Sequence, residues 1–298
     1  MRYNENTLKL PFSKGERKTV MKKLLLFLLL IVATAAYIFY DNGRLSVTDY
    51  TVSDSGIPES FNGLKIVQVS DVHDAEFGGE QADLIEAVRR ENPDYIFLTG
   101  DFIDSNRYDL DRSMSMIPAL TGMAEVFYVT GNHEVATNEV DDITSALSNA
   151  GVHVLRNEAM VVGSGNGSIA IAGIDDPLTG VGMEGEDAFT RRAIERATAN
   201  VPEGMFTILL AHRPEQFGTY AEMGIPLVFS GHAHGGQVRI PFVGGLNSPG
   251  QGWFPELTSG IHEQGNTQLV ISRGLGNSQI PLRLLNTPEI VSVTLQSE

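Results

Sequence analysis

The sequence predicts an α/β protein: a sheet covered by helices, a second sheet packed on the first, and an apolar helix ahead of both. Three observations carry that reading. Short apolar runs alternate with stretches of helical spacing from residue 64 onward. Toward the C-terminus the strands follow one another with fewer helices between them, as a second sheet requires. The one long uncharged apolar stretch, Leu24 to Tyr40, lies near the N-terminus.

Taken in order, residues 41–60 read as an extended lead-in. LKIVQVS (64–70) is a buried strand, and QADLIEAVRR (81–90) puts Leu84, Ile85 and Val88 on one helical face. DYIFLTG (94–100) is a strand, RSMSMIPAL (112–120) a helix with Pro118 near its end, and EVFYVTG (125–131) a strand. VDDITSALSNA (140–150) is a helix stopped by Gly151, SIAIAGI (168–174) a strand, and EDAFTRRAIERATA (186–199) a helix. MFTILLAH (205–212) is a strand, RPEQFGTYAEMG (213–224) a helix ending in glycine, and PLVFSGH (226–232) a strand. TQLVIS (267–272) and IVSVTL (290–295) complete the strands. There is no internal repeat and no low-complexity linker.

Composition narrows the chemistry. The absence of cysteine excludes disulfides, zinc thiolate sites and a cysteine nucleophile, so any metal must be held by His, Asp, Asn or Glu. Of 21 Lys and Arg, seven precede Asp41, against two of the 37 acids. The 14 bases and 35 acids that remain leave the body with a net charge of −21. So acidic a body repels nucleic acid, and none is expected as a partner.

The seventeen residues Leu24–Tyr40 are long enough, at the short end, to cross a bilayer. The basic bias before them predicts a cytoplasmic segment 1–23, a transmembrane anchor 24–40 and a body on the extracytoplasmic side of the cell membrane. Ala33-Thr34-Ala35 leaves a cleaved signal peptide open as the alternative, and a buried core helix is a third reading. The anchor is preferred to cleavage because the apolar run continues past the alanines.

Each strong strand ends in a polar cluster: Ser70-Asp71-Val72-His73, Gly100-Asp101, Gly131-Asn132-His133-Glu134, Ala211-His212 and Gly231-His232-Ala233-His234. In an open α/β sheet the carboxyl ends of strands face one crevice. Five such ends would deliver two Asp, one Asn and five of the chain's seven His to one place. Singly, each has an ordinary explanation as a turn dipeptide, a cap or a core histidine. Five in the same position relative to five strands suit a metal site better than turn chemistry.

In motif order and spacing, D-x-H, G-D, G-N-H-E, H and G-H-x-H resemble the calcineurin-like metallophosphoesterases, over roughly residues 60 to 298. The tracts GGQVRIPFVGG and SRGLGNSQIPLR and the N-terminal anchor are similar to the membrane-anchored bacterial branch of YaeI/YkuE-like phosphoesterases. No ligand position departs from the pattern; only VHDAEFG after Asp71 is looser than the usual LHLG. The resemblance implies a four-layer α-β-β-α sandwich of two mixed sheets over residues 61–298. It also implies a phosphoesterase acting on mono- or diesters through a hydroxide activated by two divalent metals, Mn, Fe or Zn. Asp71, His73 and His234 would hold one metal, Asn132, His212 and His232 the other, and Asp101 would bridge them. His133, a neighbour that is not a ligand, fits protonation of the leaving group. Glu134 would orient a ligand histidine or serve as a helix N-terminal acid.

Small phosphodiesters or phospholipid head groups are the expected substrates, with a protein phosphatase or a silent membrane-tethered binding protein as alternatives. His153 reads as an edge or surface histidine, His262 as a loop residue, Asp175 and Asp176 as a turn, and Arg273 and Arg283 as surface salt bridges with phosphate contact as the sharper reading. FVGGLNSPGQGWFP, with the sole tryptophan Trp253, reads as a long loop. Its sharper reading, with Phe242 and Phe254, is a substrate lip touching the membrane.

Overall fold

A computed structural model describes residues 14–277 and 282–298. The expectations placed on 1–13, and on part of the tract 272–283, lie outside the described residues. The chain divides into two units, Met1–Tyr40 and Asp41–Glu298. The first is described from Lys14 and belongs to one helix, Lys14–Asn42, whose apolar side chains from Val20 to Val32 are exposed. It is long and apolar enough to cross a membrane.

The second unit is the body. Its strands are β1 (Ser46–Asp54), β2 (Lys65–Val69), β3 (Tyr95–Thr99), β4 (Glu125–Val129), β5 (His153–Val154), β6 (Glu158–Ser164), β7 (Gly167–Gly173), β8 (Thr207–Leu210) and β9 (Leu227–Ser230). Four two-residue strands follow: β10 (Arg239–Ile240), β11 (Gly244–Gly245), β12 (Asn247–Ser248) and β13 (Gly252–Trp253). The chain closes with β14 (Gly260–Gln264), β15 (Thr267–Ile271) and β16 (Glu289–Ser297). One six-stranded sheet runs β1-β16-β2-β3-β4-β5, the other β14-β15-β9-β8-β7-β6. Both are mixed: β16 is antiparallel to β2, β6 to β7 and β14 to β15, while the other pairs are parallel.

Alternation along each strand assigns its two faces. In β3, Tyr95 and Phe97 face the core between the sheets, and Ile96 and Leu98 face the helices outside. Phe127, Ile171, Leu210 and Phe229 fill the same inner layer. The helices Ala82–Glu91, Ile117–Thr121 and Val140–Asn149 cover one sheet, and Glu186–Thr198 and Phe217–Glu222 the other. The result is the four-layer sandwich that the resemblance implied. One polar side chain crosses its centre: Gln68 donates from Nε2 to Thr99 Oγ1 (2.8 Å) and to the Ser230 carbonyl (2.9 Å), tying the carboxyl ends of β3 and β9 together.

Several local expectations are corrected. The helix expected over 112–120 is two short helices, Leu110–Met114 and Ile117–Thr121, because Pro118 starts the second rather than ending the first. The helix expected from 213 begins as a 3-10 turn, Pro214–Gln216, and becomes α-helical only over Phe217–Glu222. His262 is not in a loop but in β14. The extended segment 41–60 contributes β1, which pairs in parallel with β16 over nine residues.

Candidate metal centre

The five polar clusters sit just past β2, β3, β4, β8 and β9, where the carboxyl ends of both sheets meet. Main-chain bonds fix the loops against one another. Asp71 N–H donates to Gly100 O (3.0 Å), His73 N–H to Asp101 O (3.1 Å) and Gly231 N–H to His212 O (3.0 Å). His232 N–H reaches across to Asp71 Oδ1 on the other sheet (2.9 Å). Glycine at 231 permits that approach, since a Cβ there would lie 2.0 Å from Ser70 Oγ. Asp71, His73, Asp101, His232 and His234 all adopt left-handed backbone, with φ between 47° and 62°. Such residues each cost about 1–3 kcal/mol and persist where surrounding contacts over-determine them.

Two clusters result. Asp71, His73, Asp101 and His234 converge, with His73 Nε2 3.1 Å from His234 Nε2 and 3.5 Å from Asp101 Oδ2. Asp101, His212 and His232 form the second, with His212 Nε2 3.2 Å from Asp101 Oδ2 and from His232 Nδ1. Asp101 belongs to both. Its other oxygen accepts the His133 N–H (2.8 Å), which leaves Oδ2 facing the imidazoles. Burial lowers His73 and His232 well below the usual histidine value and also lowers His234, where Arg283 adds to the effect. Those three rings are therefore neutral, as ligands must be. Burial would also lower His212 and raise Asp101. Instead their mutual attraction wins, holding Asp101 well below the carboxylate range and pushing His212 up to about 10. Without a metal, a proton on His212 does the work of a cation beside Asp101.

Second partners orient the donors. The Thr99 carbonyl lies 2.7 Å from His212 Nδ1, so that nitrogen carries the proton it donates and Nε2 is turned to the cluster. Asn132 Oδ1 is buried without a hydrogen-bond partner, an acceptor left open as a metal ligand would be. Six clustered Asp and His donors, with Asp101 shared, and the open Asn132 oxygen are a donor set that would suit divalent cations. A third group, His73, Asp104 and His133, lies within reach of one ion, but Asp104 is already held by Arg107 Nε (2.9 Å) and Asn106 N–H (2.8 Å).

His133 stands at the edge of the first cluster, its ring centroid 4.4 Å from that of His73. Ser105 N–H donates to its Nδ1 (3.0 Å), so a neutral ring carries its proton on Nε2. Glu134 orients no histidine. Its carboxylate accepts from the N–H groups of Gly131 (2.6 Å), Asp101 (3.0 Å) and Ile103 (3.1 Å), capping the helix Asn132–Thr137 and fixing the Asp101 loop. Of the expected surface arginines, Arg283 is fully buried, donating to Arg273 O and Gly276 O and standing 3.2 Å from His234 Nδ1. Arg273 pairs with buried Glu289 at 2.8 Å. Asp176 holds Arg213 through both oxygens, and Asp175 binds Arg156 and Asn157. His153 is an edge histidine 3.5 Å from Glu125.

Sequence reasoning missed Glu215. It is 3.5 Å from His232 Nε2, and both its oxygens are buried without a hydrogen-bond partner. The signal was present in His212-Arg213-Pro214-Glu215: a proline directly after a strand end starts a helical turn and folds the next acid back toward that end.

Two groups of histidine and carboxylate donors sharing Asp101, at the mouth of a four-layer sandwich, mark the chain as a metal-binding α/β protein. The comparisons make the class particular. The model of the calcineurin-like phosphoesterase family matches residues 64–236, and the chain belongs to that family. It is 32% identical to the Bacillus subtilis (strain 168) metallophosphoesterase YkuE over 85% of this chain and 86% of that one. It is 28% identical to the Escherichia coli (strain K12) phosphodiesterase YaeI over 78% and 82% of the respective chains. A Bos taurus relative, named as a transmembrane protein with a metallophosphoesterase domain, is 31% identical over 85% of this chain and 57% of its own length. The chain is thus a metallophosphoesterase, a hydrolase of phosphoric esters.

Proposed function

We propose that this chain hydrolyses small phosphodiesters, including phospholipid head groups, at a two-metal centre on the extracytoplasmic face of the membrane. The observation that carries the reading is the Asp101 carboxylate shared by two ligand clusters. Asp71, His73 and His234 would hold the first metal, Asn132, His212 and His232 the second, and Asp101, common to both groups of donors, would serve both. Bound there, Mn, Fe or Zn would acidify a shared water and neutralise charge on the phosphoryl oxygens.

The residues do the rest. The Asp101 charge would offset the repulsion between two cations bound to the clusters that share it. The Thr99 carbonyl fixes the His212 tautomer, and the backbone bond from His232 to Asp71 holds the two half-sites in register. His133, with Nδ1 occupied by Ser105 N–H, presents Nε2–H to the leaving alkoxide. The name of the YaeI relative supports a diester, and the acidic body favours a small or lipid substrate over nucleic acid. The basic bias ahead of the apolar helix supports the outer face.

The test is hydrolysis by the full-length protein in mild detergent, loaded in turn with Mn, Fe and Zn. Bis-p-nitrophenyl phosphate, p-nitrophenyl phosphate and glycerophosphodiesters are compared. Turnover of diesters ahead of the monoester is expected; no turnover of any substrate with any of the three metals sinks the proposal.

A further inference from the structure

The hairpins that follow the His234 cluster expose an apolar edge that carries the body's most exposed aromatic side chains. Phe242, at the turn between β10 and β11, is fully exposed, and Val243, Trp253, Phe254 and Leu285 are exposed beside it. Phe242 and Phe254 hold left-handed backbone, with φ of 68° and 55°, a conformation unfavourable for an aromatic residue. Stability alone selects neither the exposure nor the strain. The tips are also bonded to one another: Phe254 N–H donates to Leu246 O (2.9 Å), Leu246 N–H to Val238 O (2.8 Å) and Arg239 N–H to Leu284 O (3.0 Å). They form one lip. An open cavity of about 460 Å³ lies among Ile240, Phe242, Val243 and Leu285.

We propose that this lip inserts its aromatic side chains into the interface of the bilayer in which the chain is anchored. Three features select a lipid surface. The first is where the chain enters the body. Asn42 exchanges bonds with the backbone of Arg283 (2.8 and 2.7 Å), and Thr287 donates to Asp41 (2.7 Å), so the body's first residues are stitched to the segment that carries Leu285. The second is charge. In a body of net −21, residues 223–255 and 264–288 hold no acid, and Arg239 lies in the lip. These segments themselves carry no charge that an anionic bilayer would repel, unlike the rest of the body. The third is residue type, since Trp and Phe beside glycine-rich turns suit the lipid–water boundary. Asn286 donates to the carbonyls of His234 (2.7 Å) and Gln237 (3.2 Å), tying the lip to the metal cluster and placing a phosphoester at the bilayer surface within the reach of the site. The proposal rests on the helix as an anchor, not on the hydrolytic reading, and retention of the protein in vesicles is measured separately.

Trp253 is the only tryptophan in 298 residues, so the intact chain reports on the lip without a label. Full-length protein is reconstituted in vesicles of phosphatidylcholine and phosphatidylglycerol, with and without bromine on the acyl chains. Trp253 emission is expected to shift to shorter wavelength than in detergent-free denaturant, to be quenched by brominated lipid and to be shielded from aqueous acrylamide. Phe242→Asp, at a position that packs against nothing, should remain in the vesicles, hydrolyse bis-p-nitrophenyl phosphate as before and lose the lipid quenching. Emission open to acrylamide and blind to bromine overturns the proposal. So does shielding without bromine quenching, which assigns the lip to a second copy of the chain, and so does full quenching in Phe242→Asp.

Discussion

Gly131→Ala isolates one requirement of the centre. Gly131 has φ −106° and ψ −175°, which alanine adopts freely, so the added methyl acts by steric contact alone. That Cβ would lie 2.3 Å from Asp101 Oδ1 and 2.4 Å from Asp101 N, where ordinary contact begins at 3.4 Å. The Asp101 loop must therefore retreat by about 1 Å, and displacement on that scale can lower a rate by about 10²-fold. It cannot retreat freely. Glu134 Oε2 accepts both the Gly131 N–H (2.6 Å) and the Asp101 N–H (3.0 Å), so opening the gap lengthens one of two buried bonds. Overpacking of this kind costs about 1–3 kcal/mol, or roughly 2–4 °C of melting temperature per kcal/mol in a domain of this size. Metal per chain by elemental analysis, diester turnover at saturating metal, and thermal unfolding are the three readouts. All should fall in Gly131→Ala. Gly218→Ala is the control: its Cβ meets nothing within 4 Å in the helix Phe217–Glu222, so metal and rate stay unchanged and stability holds or rises slightly. A Gly131→Ala protein with full metal, wild-type turnover and an unchanged melting point would refute the argument that close backbone approach positions Asp101.

Asp101→Asn should bind fewer metals per chain and lose turnover, because a neutral bridge leaves two cations facing each other; two metals and a normal rate would remove Asp101 from the bridging position. His133→Ala should keep both metals and lose about 10²–10⁴-fold in rate, with a smaller loss when p-nitrophenol leaves than when an alkoxide does. Equal losses would make it a positioning residue. In metal-free protein Asp101 outweighs burial and raises His212 from 6.5 to about 10. Its stabilisation is complete below pH 6.5 and lost as the pH rises toward 10; His73, His232 and His234, lowered by burial, act in the opposite sense and lose theirs on acidification. Guanidinium midpoints of the stripped protein should decline on the alkaline side and His212→Ala should flatten that limb; identical limbs in the two proteins contradict the pairing. Protease added to intact protoplasts should digest the body and spare the basic N-terminus, and a body protected until lysis reverses the orientation inferred from the basic bias.

The sequence by itself determined the α/β class, most strands, and which side chains stand at their carboxyl ends. These are local properties. A strand announces itself by apolar runs of a few residues, and a polar cluster with glycine at its end is contiguous with it, as in VSDVH and FSGHAH. Glu134 and Glu215 were less legible because their roles depend on what the backbone brings near: three N–H groups from two loops for one, a histidine from the next strand for the other. Pro118 read as a stop when it is a start, since proline is compatible with both.

Only the tertiary structure decided that the two sheets share one mouth. β16 enters the first sheet between β1 and β2, hundreds of residues from either partner, and no local signal encodes that pairing. The left-handed backbone of Asp71, His73, Asp101, His232 and His234 is likewise invisible in their residue types, because none of them prefers it in isolation. It is imposed by contacts between loops, among them Gln68 bonded to Thr99 and Ser230 across the core and Asp71 bonded to His232 across the mouth. Periodicity could place seven donors at strand ends. It took the packing of one sheet on the other to bring Asp71, His73, Asp101, His212, His232 and His234 into two clusters with Asp101 common to both.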